Sequence, residues 1–207
     1  MWGGLLRRAS RVPFFVKDFL GLKTPLHTPP RYILEQIIIP YFVYQKDIKT
    51  VLFVGCDWYT KHYHREFFRG MEYWTIDPDS KKQRYGSPNH VVDSLEKLHY
   101  YFPSGYFDLI ICNGVYGWGL DHKEQCEIAF RNCFDCLRYG GEFILGWDDL
   151  PEDSPFFPVG WHRPVSIEEL ESLKAFRHQR FAPLSTWRYL VKSPIYHTYD
   201  FYVKKNT

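Results

Sequence analysis

Five short apolar runs in this 207-residue chain lead into glycine or polar residues that could do chemistry. Residues 51–54 (VLFV) run into Gly55-Cys56-Asp57-Trp58. Residues 72–76 (EYWTI) run into Asp77-Pro78, and residues 90–92 into Asp93-Ser94. Residues 107–112 (FDLIIC) end at Asn113-Gly114, and residues 142–145 (EFIL) are followed by Trp147-Asp148. Glycine lets another backbone or a ligand come close, because it has no Cβ. The two oxygens of a carboxylate match a cis-diol. An acid followed by a free backbone amide matches the acceptor-and-donor edge of adenine. Together these are the groups a nucleoside pocket needs. Each also has a plain structural use. Asp77 before Pro78 can start a turn, Asp93-Ser94 can cap a helix near residue 95, and Asn113-Gly114 can be a turn with no ligand.

The elements that must position these residues alternate. Residues 51–54, 72–76, 90–92, 107–112 and 142–145 read as buried strands, with a last strand over 199–204. Helices are expected over 32–44 (broken near Pro40), 59–69 and 121–138, the last ending where Gly140 suits a left-handed residue. Another begins at Ser166, which with Glu169 fits a capping box. Strands alternating with helices predict an α/β protein with a doubly wound, mostly parallel sheet. Such sheets bind ligands beyond the carboxyl ends of their strands, where the polar residues above fall. Residues 23–31 (KTPLHTPPR) read as a connector, dividing the chain into a basic extension, 1–30, and a single domain, 31–207.

Composition narrows the classes. With 45% apolar and 24% charged residues, the chain is not a disordered one. Its longest stretch without Asp, Glu, Lys or Arg covers only residues 109–120, too short to span a bilayer. The formal charge of +2 is too small to announce a nucleic-acid partner. Five cysteines, an odd number without a secretory signal, point to a reducing compartment and a cytoplasmic protein. Cys133 and Cys136 form a C-x-x-C pair, yet Cys126, Phe130, Cys133 and Leu137 repeat as the stripe of a core-facing helix. Arg7, Arg8, Arg11 and Lys17, with apolar residues between, fit an amphipathic helix in weak contact with a membrane surface, a targeting segment, or simply an extra helix. His62 and His64, two apart on a helix, face different ways and make no metal pair.

Taken in order, VLFVGCDWY (51–59), YWTIDPD (73–79), VVDS (91–94), FDLIICNGVYGW (107–118) and LRYGGEFIL (137–145) resemble the motifs of class I S-adenosylmethionine-dependent methyltransferases, over about 95 residues. The resemblance implies a seven-stranded sheet with the last strand antiparallel, S-adenosylmethionine as cofactor, and a small-molecule methyl acceptor. It implies cofactor contacts at Gly55, Cys56, Asp57, Asp77, Pro78, Asp93, Ser94 and Asn113. Asp77 would take the ribose hydroxyls, and Asp77→Ala is expected to weaken the cofactor while leaving the free protein's stability almost unmoved. A base would come from Asp121-His122, with His122 the candidate catalytic residue, or from Asp148-Asp149.

The sequence departs from the family's G-x-G-x-G loop, carrying Gly55-Cys56-Asp57-Trp58-Tyr59. Tyr59 either closes this loop over the ligand or blocks it. Asp57 stands where a dinucleotide's pyrophosphate would sit, which argues against a nicotinamide cofactor and is tolerable for a sulfonium. Tyr59, Tyr116, Trp118 and Trp147 are candidates for aromatic walls around such a cation. Asn113 is followed by Gly-Val-Tyr, unlike the family's nucleic-acid amine methylases, so a nucleic-acid acceptor is not expected. The altered loop and the aromatic stretch 154–164 also admit a non-catalytic binding or scaffold protein on the same fold.

Overall fold

The computed structural model describes residues 26–45, 48–151, 154, 157–192 and 196–205. The basic segment expected over 1–30 therefore lies almost wholly outside the described residues. The described chain opens with a helix, α1, running through Pro29–Ile33, Leu34–Ile38 and Ile39–Gln45. Pro29 and Pro30 sit in its first turn, where the missing N–H costs nothing. The break expected near Pro40 is absent. Leu34–Ile38 instead forms a π-helical turn, in which Ile39 N–H reaches back five residues to Leu34 O. The wider turn carries the proline within a continuous helix.

The strands are β1 (Thr50–Val54), β2 (Glu72–Ile76), β3 (Asn89–Val91), β4 (Phe107–Asn113), β5 (Leu137–Asp148), β6 (Arg177–His178), β7 (Arg188–Val191) and β8 (His197–Val203). They form one eight-stranded sheet in the order β3-β2-β1-β4-β5-β8-β6, with β7 also on β8. Strands β1 to β5 pair in parallel, and β8 is antiparallel to β5, β6 and β7. The seven expected places hold. The eighth strand arises because the edge beside β8 is shared by two short pieces, β6 against Tyr202–Val203 and β7 against His197–Asp200.

Parallel strands buried on both faces need apolar residues on both sides. Leu52, Val54, Ile110 and Cys112 face one layer, built on the helix α3 (Lys123–Cys136). Val51, Phe53, Leu109 and Ile111 face the other, where Leu34, Ile38, Ile39 and Phe42 of α1 cover them. All five cysteines are free and buried, and the Cys126-Phe130-Cys133 stripe faces the core as expected. Among the described residues no helix is long and apolar enough to cross a membrane.

Three local expectations change. The helix expected over 59–69 shrinks to α2 (Tyr63–Glu66), reached through tight turns. Gly140 is not the end of α3, which stops at Cys136. It lies at φ +70° within β5, where the register with β4 shifts between Phe107 and Leu109. Such a bulge uses glycine for its positive φ. Ser166 makes no side-chain cap; its hydroxyl donates to Glu168 Oε2 (2.5 Å), ahead of a short turn, Ile167–Glu169, and the one-turn helix Glu171–Lys174.

Candidate functional site

The carboxyl ends of the strands open onto a cavity of about 950 Å³. Its floor is the pair of strand ends at β1 and β2. Gly55 N–H donates to Ile76 O (2.9 Å), which fixes the two ends side by side. Gly55 sits at φ +80°, and a Cβ there would come within 2.7 Å of Val115 Cγ2. Glycine is thus required by the backbone angle and by Val115. One residue on, Cys56 N–H donates to Asp77 Oδ2 (2.9 Å), and Asp79 N–H donates to Asp77 Oδ1 (2.9 Å). Each oxygen of this buried carboxylate keeps a further acceptor site, and Asp77 lines the cavity. Burial beside Asp77 pushes the Cys56 thiol up to about 12, so it is a neutral wall.

The loop that lacks two glycines is closed by other means. Asp57 N–H donates to Thr60 Oγ1 (3.0 Å), and Thr60 N–H and Oγ1–H both donate to Asp57 O (2.9 and 2.8 Å). Among described non-glycine residues only Ser185 has a positive φ. The backbone at Asp57 and Tyr59 therefore takes angles open to any residue, and glycine is not needed there. Tyr59 lines the cavity without filling it, its ring lying under the Arg31 guanidinium at 4.4 Å. Lys82 Nζ stands 3.8 Å from Asp57 Oδ2 and 3.9 Å from Asp77 Oδ2, balancing both acids.

The third and fourth strand ends complete the wall. Asp93 lines the cavity, but its carboxylate is held by its own segment: Tyr101 Oη–H donates to Oδ2 (2.8 Å), Ser94 N–H to Oδ1 (2.8 Å), and Lys97 Nζ lies 3.0 Å from Oδ1. The bonds from Tyr101 and Ser94, then Lys97, hold its carboxyl below the usual carboxylate range. The Ser94 amide, expected to face a ring nitrogen, is engaged by Asp93. Asn113 ends β4 opposite Gly146, and a Cβ on Gly146 would overlap Asn113 Oδ1 and stand 2.9 Å from Tyr199 Cε1. Glycine there makes the room in which the Asn113 amide lies.

No protein-family model matches the sequence, and no curated protein matches it. Solved structures do match in shape. The N-methyltransferase NodS from Bradyrhizobium japonicum WM9, crystallised with S-adenosylhomocysteine, superimposes with a TM-score of 0.62 at 13% identity, over 87% of this chain and 90% of that one. A SAM-dependent methyltransferase from Archaeoglobus fulgidus gives 0.60 at 13% identity, covering 92% and 99%. The Burkholderia thailandensis 1,6-didemethyltoxoflavin-N1-methyltransferase gives 0.52 at 14%, covering 89% and 94%. The chain has the class I methyltransferase fold.

Within this methyltransferase fold, all eight residues expected at the cofactor, Gly55, Cys56, Asp57, Asp77, Pro78, Asp93, Ser94 and Asn113, line the one cavity. His122 does not. It is exposed, preceding the first turn of α3. Asp121 accepts from Gly119 N–H and is also outside the cavity, as is Asp149. Of the four aromatic candidates, Tyr59 and Trp118 line it. Tyr116 is fully buried with its hydroxyl donating to Val165 O, and the Trp147 indole donates to Asp200 Oδ2 (2.9 Å); both belong to the core.

Three cavity residues had no sequence signal strong enough to single them out. Lys82 lies in the turn after β2. Arg31 enters from α1, buried at 7% exposure, with Nη1 donating to Tyr63 Oη (2.7 Å), which in turn donates to Glu35 Oε1 (2.7 Å). His197, at the start of β8, pairs with Asp148 across the antiparallel ladder. Its Nδ1 is 2.6 Å from Asp148 Oδ1, and its Nε2 is 3.2 Å from Asn113 Oδ1. Trp118 Nε1–H donates to Asp148 Oδ2 (2.8 Å).

Proposed function

We propose that this protein is an S-adenosylmethionine-dependent methyltransferase acting on a small molecule. The observation that carries the proposal is that the four strand-end loops holding the eight residues implied by the family resemblance all line one cavity, with Asp77 fixed beside the Gly55 loop. The chemistry of the donor set fits the cofactor. Asp77 offers two open acceptor sites at the spacing of a cis-diol. Asp93 and Pro78 border the place for the base. Trp118 and Tyr59, the latter stacked under Arg31, give aromatic surface, and Lys82 offsets the charge of Asp57. The fold carries many chemistries, so the assignment rests on these residues and not on shape alone.

The cofactor supplies an electrophilic methyl group on a sulfonium sulfur. The protein's part is to hold and orient. Asp77 anchors the nucleoside end, the closed 57–60 loop forms one wall, and Pro30 and Arg31 of α1 line the same cavity. A cavity of this size has room for an acceptor beside the cofactor, within the roughly 300–1,000 Å³ of ordinary ligand sites. Positioning of this kind accounts for most of the rate in a simple displacement.

Equilibrium dialysis with radiolabelled S-adenosylmethionine tests the assignment. The expected result is saturable binding displaced by S-adenosylhomocysteine. No binding at millimolar cofactor overturns the enzyme assignment and leaves the non-catalytic scaffold.

A further inference from the structure

We propose that Arg31 is the cavity's receptor for a carboxylate, one carried by the amino-acid end of the cofactor or by the methyl acceptor. The proposal rests on the methyltransferase assignment and adds a binding residue and a ligand class to it.

Arg31 is a buried cation with no counter-ion beside it. It reaches the cavity from the start of α1, which Tyr199 ties to β8 by donating from Oη–H to Pro30 O (2.8 Å). Its guanidinium lies over the Tyr59 ring at 4.4 Å. This stacking fixes the plane of the group and leaves its N–H edge free for bonds within that plane. Among the described residues the side chain has one hydrogen-bond partner, Tyr63 Oη, which takes Nη1–H (2.7 Å). Tyr63 passes the bond on to Glu35 Oε1 (2.7 Å), so Glu35 stands behind a hydroxyl and no described carboxylate meets the guanidinium directly. A buried charge is costly unless something pairs with it. The N–H groups left over form a planar fork, and this matches the two oxygens of a carboxylate.

Two features of the cavity leave this task to Arg31. The Gly55 loop is closed on itself. The amides of Gly55, Cys56, Asp57, Trp58 and Thr60 all donate within the protein, so the loop has few backbone donors left for an anion. The other lysine or arginine among the described lining residues is Lys82, and it is shared by Asp57 and Asp77. The charge of the ligand follows. One guanidinium matches one negative charge, as a carboxylate carries. A phosphate dianion would leave a charge unmatched in a cavity that Asp57 and Asp148 also line. S-adenosylmethionine ends in an amino acid and brings one such carboxylate; an acceptor that is a small organic acid brings another. No bond is made or broken at Arg31, whose part is to hold and orient.

The experiment uses the full chain as wild type, Arg31→Gln and Arg31→Lys. The calorimetric probes are S-adenosylhomocysteine and S-adenosyl-3-thiopropylamine, its analogue lacking only the carboxylate. A second arm gives S-adenosylmethionine with a tritiated methyl group to a protein-free cell extract, split beforehand by anion exchange into acidic and neutral pools. If the carboxylate is the cofactor's, the wild type prefers S-adenosylhomocysteine to the analogue by about tenfold or more, and Arg31→Gln abolishes that preference. If it is the acceptor's, the two probes bind alike, label enters the acidic pool, and Arg31→Gln lowers that labelling about tenfold or more. In both cases the analogue should bind wild type and Arg31→Gln within about threefold, which reports that the variant folds. Arg31→Lys keeps the charge without the fork and should fall between the two. An Arg31→Gln protein that changes neither the preference nor the labelling overturns the proposal. So does a wild type that shows neither, or a loss of both probes together in Arg31→Gln and Arg31→Lys, which makes the residue structural. A wild type that binds neither probe and transfers no label defeats the methyltransferase assignment, and the receptor with it.

Discussion

Two buried carboxylates at opposite ends of the parallel strands show what separates a structural acid from a site acid. Asp108, at the amino end of β4, is turned to the protein's own donors. Its Oδ2 accepts from Lys49 N–H (2.8 Å) and Thr50 N–H (2.8 Å), with Thr50 Oγ1 at 3.0 Å, and its Oδ1 accepts from Arg138 Nε–H. Asp77, at the carboxyl end of β2, has two backbone donors and two open positions facing a cavity. The first staples β1 to β4 at their amino ends. The second holds two strand ends together and still has capacity for a ligand. Burial alone does not distinguish them. What each one faces does: Asp77 lines the cavity and Asp108 does not.

The largest effect that would sharpen this contrast is Asp108→Asn. It removes several charge-assisted bonds of about 1.5–3 kcal/mol each, not additive, so a loss of roughly 2–4 kcal/mol is expected in urea unfolding. Affinity for S-adenosylhomocysteine should not move. The same residue sets an acid limb. Burial works to raise the Asp108 carboxyl, but the bonds from Arg138, Thr50 and Lys49 outweigh it and hold it below the ordinary value of 3.8. A group depressed in the folded state contributes stability above its unfolded value and loses it as pH falls through the folded one. The wild type should therefore lose more stability than Asp108→Asn as pH drops below about 3.8.

Asp77→Ala comes next, with the opposite signature. Cofactor affinity should fall by about 1.5–3 kcal/mol, roughly 10- to 150-fold. Stability of the free protein should also fall, by about 1 kcal/mol, because the Cys56 and Asp79 amides lose their acceptor. The two backbone bonds make Asp77 a structural residue as well as a binding one, which its place at a strand tip had not suggested. Gly146→Ala probes the far wall. Its Cβ would displace the Asn113 amide, and a cost of about 1–2 kcal/mol is expected from overpacking, read in a thermal melt. The smallest effect is at the thiols. Burial holds Cys56 and Cys126 up at about 12 and Cys136 at about 11. Iodoacetamide at pH 8 should leave the folded protein unmodified, and rapid labelling of any cysteine would contradict that burial.

What could be read along the chain follows the same divide. The β1 and β2 tips lie 22 residues apart, each announced by an apolar run with a glycine or acid after it, so local pattern placed them. The wall made by Asn113, Asp148 and His197 joins residues 49 and 84 positions apart through an antiparallel pairing. No local signal marks His197, because it lies two residues ahead of the strand that local pattern placed at 199–204 and gains its role only from the partner strand. His122 had the better local credentials, following strand four at a helix start, yet that helix begins on the surface. The π-helical turn before Pro40 and the bulge at Gly140 escaped for a related reason. In each, tertiary packing holds an irregular backbone that local rules read as an end.

Titration calorimetry with S-adenosylhomocysteine on the wild type, Asp77→Ala and Asp108→Asn tests the central claim most directly. One saturable site in the wild type is predicted, weakened at least tenfold in Asp77→Ala and unchanged in Asp108→Asn. Equal affinity in all three proteins, or no heat of binding at millimolar ligand in the wild type, would contradict it.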